Sequence, residues 1–260
     1  MSEESEFQQA VRANIEALGK DAQLKQDTLD WMIRAGGDHN YSYNFSWLGR
    51  PIIQYPQDIV GMQELIWKVK PDLVIEMGIA HGGSLILHAS MLALLEYCEA
   101  AETGSVLDTS QARRRVLGVD IDIRDHNRAA IDAHPMSHRI DMIQGSSIDP
   151  DTISQVEAYS RDYSTVLVVL DSNHTHDHVF AELEAYGRLT SVGSYCVVYD
   201  TLVVDAPDEY FADRPWGKGN NPKTAVWEFL KSHPEFEIDK EFENKLLITV
   251  APDGFLRRLA

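Results

Sequence analysis

The chain predicts an α/β fold: a doubly wound, mostly parallel seven-stranded sheet with helices on both faces and an N-terminal helical extension. Three observations carry that expectation. From residue 72 to residue 199, strand-like and helix-like segments alternate, the order that crossover connections impose on a parallel sheet. The runs Val74-Ile75, Val116-Leu117-Gly118-Val119 and Val166-Leu167-Val168-Val169-Leu170 are apolar without alternation, as strands covered on both faces must be. Acidic residues, Asp120 and Asp171 among them, follow directly where such a sheet delivers ligand-binding groups to its carboxyl edge.

Each element follows from local pattern. Val11, Ile15 and Leu18, then Leu24, Leu29, Met32 and Ile33, recur at helical spacing and predict two helices ahead of the sheet. Residues 36–55 mix Tyr41, Tyr43, Phe45 and Trp47 with small polar residues and show no period; four aromatics favour a lid over a disordered linker. The chain therefore divides into an extension and lid, residues 1–55, and a main domain, residues 56–260. A helix through Ile59, Met62, Leu65, Ile66 and Val69 stops before Pro71. Strands are expected at 72–77, 115–120, 139–143, 165–170 and 192–199, helices at 83–97, 126–133, 149–159 and 176–189, and a surface loop at 102–114. Past a stretch rich in Pro and Gly, a helix covers 223–232, and late strands near 235–239 and 245–250 form an antiparallel hairpin at the sheet edge.

Composition narrows the partners. Among 260 residues, Lys and Arg total 23 against 41 Asp and Glu, a formal net charge of −18. Nucleic acids and anionic membranes both select basic patches, so a small molecule such as a sugar suits this chain better. Cys98 and Cys196 stand far apart in apolar surroundings, which fits neither a disulfide framework nor a metal cluster and points to a reducing, cytoplasmic setting. No apolar run approaches the roughly 20 residues that span a bilayer, and the acidic start, Met1-Ser2-Glu3-Glu4, is unlike a signal peptide.

Residues 72–84, Asp-Leu-Val-Ile-Glu76-Met-Gly78-Ile-Ala80-His-Gly82-Gly83-Ser84, are the most informative stretch. They run a strand into a carboxylate, then glycines, then a helix start, where the backbone lets a ligand approach and offers unpaired N–H groups. The spacing is E-x-G-x-x-x-G-G and departs from the dinucleotide G-x-G-x-x-G. A carboxylate at this place repels phosphate and attracts a cationic ligand, and S-adenosylmethionine is the nucleotide-like cofactor that fits.

Glu76, Asp120, Asp171 and Asp200 each fall at or near a strand end, with Gln144-Gly145-Ser146-Ser147 after the third strand, so one polar cleft is expected. Asp120 is placed to accept hydrogen bonds from a ribose diol, and Asp122 to cap the next helix. The segment Asp171-Ser-Asn-His174-Thr-His176-Asp-His178 is dense in metal-ligating residues, but it lacks cysteine and straddles a strand end and a helix start, which disfavours zinc. Asp171 with Asp200, completed by water and substrate oxygens, suits magnesium. His174 would then face a cation-bound hydroxyl as general base, while His176 and His178 are expected at the surface or behind the site.

Taken with Gly219-Asn220-Asn221-Pro222-Lys223-Thr224-Ala225-Val226-Trp227 and the ending Lys245 to Arg258, these residues resemble class I S-adenosylmethionine-dependent methyltransferases, within them the cephalosporin hydroxylase/rhamnosyl O-methyltransferase family. The resemblance spans residues 45–258. It implies a Rossmann-like fold, S-adenosylmethionine at the glycine turn, magnesium, and a homo-oligomer. Carried over, Glu76, Gly78 and Ser84 hold the methionine end, and Ala80, Gly82, Gly83 and Asp171 border the cofactor with them. Asp120 holds the ribose, Ser146 or Ser147 the adenine side, and Asp171 and Asp200 the metal. Related macrolide-sugar methyltransferases place a histidine three positions after the first metal aspartate, which matches His174. The family often ends its fifth strand in an acidic pair; Tyr199-Asp200 keeps one carboxylate, which removes a ligand and weakens the implied metal site.

The expected chemistry is in-line displacement, a hydroxyl oxygen attacking the sulfonium methyl. Tyr41, Tyr43, Phe45, Trp47 and Trp216 offer faces to a pyranose. Two other readings stand beside it, a metal-dependent hydroxylase of a natural product and a non-catalytic partner in a biosynthetic assembly. The strand-helix alternation argues against the first and the coexistence of Asp171, His174 and Asp200 against the second.

Overall fold

Two capped helices open the chain, and the computed structural model describes residues 5–260. The acidic start, residues 1–4, lies outside the described residues. Ser5 and Gln8 form a capping box for α1 (Glu6–Lys20), and Asp21 accepts from the Leu24 N–H to start α2 (Ala22–Ile33). Two short helical turns, Arg34–Asp38 and Tyr41–Asn44, lead to strands β1 (Phe45–Trp47) and β2 (Arg50–Ile52), which pair antiparallel. This hairpin gives regular structure to part of the segment 36–55, which the sequence reads as aperiodic. Strands of three residues are too short to announce themselves by alternation, and the turn is made by Leu48 and Gly49, both at positive φ.

From α3 (Pro56–Val69) the expected alternation follows. It runs β3 (Leu73–Met77), α4 (Gly83–Thr103), β4 (Arg115–Asp120), α5 (Asp125–Asp132), β5 (Ile140–Gln144), α6 (Pro150–Ser160), β6 (Val166–Leu170), α7 (His176–Tyr186) and β7 (Tyr195–Val198). The chain ends in α8 (Pro222–Ser232), β8 (Phe236–Ile238), α9 (Lys240–Leu246) and β9 (Phe255–Arg258). The seven-stranded sheet has the order β5-β4-β3-β6-β7-β9-β8, with β9 antiparallel to both its neighbours and β3 through β7 parallel. The order reverses between β3 and β6, and the crevice of a doubly wound sheet opens there. Alternate residues of the central strands feed two apolar layers, Val74, Val116 and Leu167 packing on one face and Ile75, Leu117 and Val168 on the other. The fold is therefore the Rossmann-like one that the sequence predicts.

Four expectations are corrected. Helix α4 runs on to Thr103, past the expected end at 97, and Gly104 at φ +67° terminates it, so the loop begins later. At 21 residues α4 is long and apolar enough by length and composition to cross a membrane, yet Leu85, Ile86, Leu87 and Leu92 are wholly buried as core. Helix α7 stops at Tyr186 and passes into a 3₁₀ turn, Gly187–Leu189. The late strand expected at 245–250 is absent: Asp239 caps α9 by accepting from the Phe242 N–H at 3.0 Å, Leu247 turns at φ +59°, and Phe255–Arg258 enters the sheet between β7 and β8.

The turn after β3 explains its first glycine. Gly78 has φ +96°, and a Cβ there would lie 2.2 Å from the Asp171 carbonyl oxygen. Gly78→Ala is expected to cost about 3 kcal/mol or more in urea unfolding, the sum of left-handed strain and a backbone clash; a cost below about 1 kcal/mol would mean the turn relaxes freely.

Candidate active site at the carboxyl edge

The ends of β3, β4 and β6 meet in one cavity of about 150 Å³, walled by Glu76, Gly78, Ala80, Gly83, Ser84, Asp120 and Asp171. Gly82 stands behind it as the N-cap of α4, at φ +80°. Pro51 to Gln54, at and after β2, form the facing wall. A Cβ on Gly83 would lie 2.2 Å from the Pro51 carbonyl oxygen, so only glycine lets the first turn of α4 lie against the hairpin.

Glu76 is buried in β3 and accepts from the Ser84 hydroxyl, while Nδ1 of the wholly buried His88 lies 2.9 Å from its other oxygen. Asp120 faces the cavity and also ties the turn, accepting from the Ile79 N–H at 2.8 Å, the Ala80 N–H at 3.3 Å and the Asp122 N–H at 3.0 Å. The first two bonds share Oδ2, so Oδ1, which accepts only from Asp122, keeps a second lone pair for a ligand. Asp122 pairs with Arg124 at 3.8 Å and caps no helix. Neither Ser146 nor Ser147 lines the cavity. Ser147 is turned inward, its hydroxyl 2.9 Å from His178 Nε2 and bonded to Glu182, because that wholly buried carboxylate recruits the donors around it, Ser172 included.

Beside the cavity, ligand atoms of Asp171, His174 and Asp200 lie within 4.8 Å of one another. Asp200 follows β7 at φ +56°, and its carboxylate is 3.1 Å from His174 Nε2. Burial raises the Asp171 carboxyl well above the usual carboxylate range, helped by the charges of Asp200, Glu76, Glu182 and Asp58. Asp58, buried in the first turn of α3, is pushed up to about 7, chiefly by burial, although the Val250 N–H donates to it at 3.1 Å. Tyr199 is buried among the same acids and its phenol is raised well above its ordinary value by burial and by Asp58, Asp171 and Glu76, so it stays neutral. Carboxylates so crowded favour a bound cation, and the oxygen donors of Asp171 and Asp200 fit a divalent one.

Asp58 and Asp171 titrate higher folded than unfolded, so between about pH 4 and 7 the native state binds more protons and stability falls as pH rises. The thermal midpoint is expected to drop from pH 5 to pH 8 and the drop to shrink in Asp58→Asn. Magnesium should raise the midpoint more at pH 8, where protons no longer compete with it; equal stabilisation at both pH values in calorimetry contradicts this account.

Tyr41, Phe45 and Trp47 are packing groups, contrary to the pyranose-stacking expectation for those three. Tyr41 sets its edge against Trp31 and Phe45, Phe45 and Trp47 pack on the core, and the Trp47 indole N–H donates to Ser90 at 2.9 Å; Tyr43 is exposed. A hairpin this small needs that apolar area to stay on α4. Trp216 instead adjoins the acidic cluster, edge-on to His174 at 4.8 Å. Sequence reasoning missed Asp58, His88, Glu182 and Arg50. His88 and Glu182 carried a usable signal, since each falls on the apolar stripe of its helix, three residues after Leu85 and Val179 respectively. Asp58 reads as an ordinary helix-start acid.

Comparison with known proteins agrees with this architecture. The family model described as Rhamnosyl O-methyltransferase/CmcI matches residues 39–259. A rhamnosyl O-methyltransferase of Mycobacterium tuberculosis (strain ATCC 25618 / H37Rv) is 30% identical over 206 residues, 77% of this chain and 73% of that protein. The Mycobacterium leprae (strain TN) protein of the same name is 28% identical over 222 residues, 84% and 86% of the two. Among solved structures, CmcI with Mg and SAM superposes with a TM-score of 0.55 at 18% identity, covering 84% of this chain and 78% of that one, a likeness of fold.

Proposed function

This chain belongs to the rhamnosyl O-methyltransferase/CmcI family, and from that premise we propose that it transfers the methyl group of S-adenosylmethionine to a hydroxyl of a sugar or glycosylated small molecule. The observation that carries the reading is the joining of Glu76, Asp120 and Asp171 in one cavity beside the Asp171–His174–Asp200 cluster. A sulfonium donor with an ammonium group suits an anionic pocket, and the donor's carboxylate suits the N–H groups at the start of α4.

In this reading Glu76 takes the ammonium, the turn from Gly78 to Ser84 surrounds the methionine end, Asp120 accepts from the ribose and Ser146 borders the adenine. Asp171 and Asp200 would hold magnesium, which would lower the pKa of the acceptor hydroxyl. His174 takes the hydroxyl proton as the new O–C bond forms and the C–S bond breaks, and Trp216 walls the acceptor beside it. Tyr199 adds no charge, so a cation held by Asp171 and Asp200 would need further oxygen donors from water or substrate. Cys98 and Cys196 are free thiols, in keeping with the reducing cytoplasm we assign. Incubation with methyl-labelled S-adenosylmethionine and a panel of glycosides and nucleotide sugars tests the reading. Label should reach a sugar hydroxyl, vanish with chelator and return with magnesium; transfer that a chelator leaves intact contradicts the metal's part, and labelling of a nitrogen or carbon contradicts the acceptor class.

A further inference from the structure

The glycine turn is gripped from outside by the hairpin. Arg50, in β2, donates to the His81 carbonyl through Nε at 3.1 Å and again through Nη2, which also reaches Asn127 Oδ1 at 3.2 Å. Asn127, buried on α5, donates through Nδ2 to the Ala80 carbonyl at 2.8 Å. The carbonyl side of residues 80 and 81 is thus tied to two elements, while Asp120 ties the amide side at Ile79 and Ala80. Ala80 itself sits at φ +46°, a conformation that a non-glycine residue keeps only when its surroundings hold it there.

We propose that Arg50 and Asn127 are positioning residues that hold the turn in its ligand-ready shape, so that cofactor affinity depends on a hairpin contributed from outside the parallel α/β core. The physical reason is preorganisation. A turn left free to relax at Ala80 must be ordered again by each incoming ligand, and affinity falls by that ordering cost. The guanidinium matters for its fork: one side chain reaches both the carbonyl and Asn127, which a lysine ammonium on a flexible stem does less well. Neither residue touches the reacting atoms, so the loss should appear in cofactor binding and not in the chemical step at saturation.

This inference rests on the methyltransferase reading, and calorimetric titration with S-adenosylhomocysteine separates the two. If the parent protein does not bind that ligand, the reading itself fails. If the parent binds, Arg50→Ala and Asn127→Asp should each bind about tenfold more weakly, the loss expected of a hydrogen bond to a charged group or of a buried unsatisfied acceptor. Arg50→Lys should fall between, kcat at saturating S-adenosylmethionine should stay within about twofold, and the acceptor KM should not move. Amide exchange at residues 79–82 should quicken in the variants that remain folded. Unchanged affinity in either variant overturns the proposal, and so does a kcat that falls with the affinity; should Arg50→Ala fail to fold, Asn127→Asp and Arg50→Lys carry the same test.

Discussion

His174→Ala is expected to slow methyl transfer by about 10²- to 10⁴-fold, the range a positioned general base contributes, with S-adenosylhomocysteine binding as it does to the parent. The separation is possible because His174 borders the cation-site residues Asp171 and Asp200 but does not wall the cavity assigned to the cofactor. Its ring is held by Asp200 at 3.1 Å and by the edge of Trp216, so removal takes away a poised base and leaves the glycine turn as it was. Steady-state rates alongside calorimetric binding check this. Turnover within a few-fold of the parent would remove the base assignment, and a matching loss of cofactor affinity would show that His174 belongs to the binding pocket.

The second large effect is expected at Glu76. Glu76→Gln keeps the shape and an acceptor for the Ser84 hydroxyl but removes the charge that the ammonium group meets, so affinity should fall by about tenfold to a hundredfold, equivalent to roughly 1.5–3 kcal/mol. The same substitution takes one carboxylate out of the ring that raises Asp171, so the ligand-free variant should melt no lower than the parent at pH 8. Weaker binding without weaker folding is a signature that general damage cannot give. A variant that binds S-adenosylhomocysteine as tightly as the parent would remove Glu76 from the cofactor site.

How much of this was legible in the sequence depends on the length over which a signal repeats. The parallel strands announced themselves because apolar runs without alternation, among them the five residues Val166–Leu170, leave few alternatives, and the acids after them were found because a parallel sheet has one carboxyl edge. The hairpin at Phe45–Ile52 was not legible, since three-residue strands carry no period and its stability comes from packing on α4. The late strand was misplaced because Leu246-Leu247-Ile248-Thr249-Val250 has strand composition, yet Leu247 at φ +59° and the capped α9 before it break the extended run. Between Ser146 and Ser147 the sequence does not choose: two adjacent serines look alike, and only the buried Glu182 shows that Ser147 turns inward. Arg50 and Asn127 illustrate the general limit, because their partners are backbone carbonyls, which leave no mark on composition or spacing.

The central claim is that one edge of the sheet holds a sulfonium donor and a divalent cation side by side. Crystals grown with S-adenosylhomocysteine and manganese test it most directly, because manganese replaces magnesium and scatters anomalously. The account predicts an anomalous peak bonded to carboxylate oxygens of Asp171 and Asp200, with the amino group of the ligand on Glu76 and its ribose on Asp120. A peak elsewhere, or a ligand that lies away from the turn at Gly78–Ser84, would contradict it.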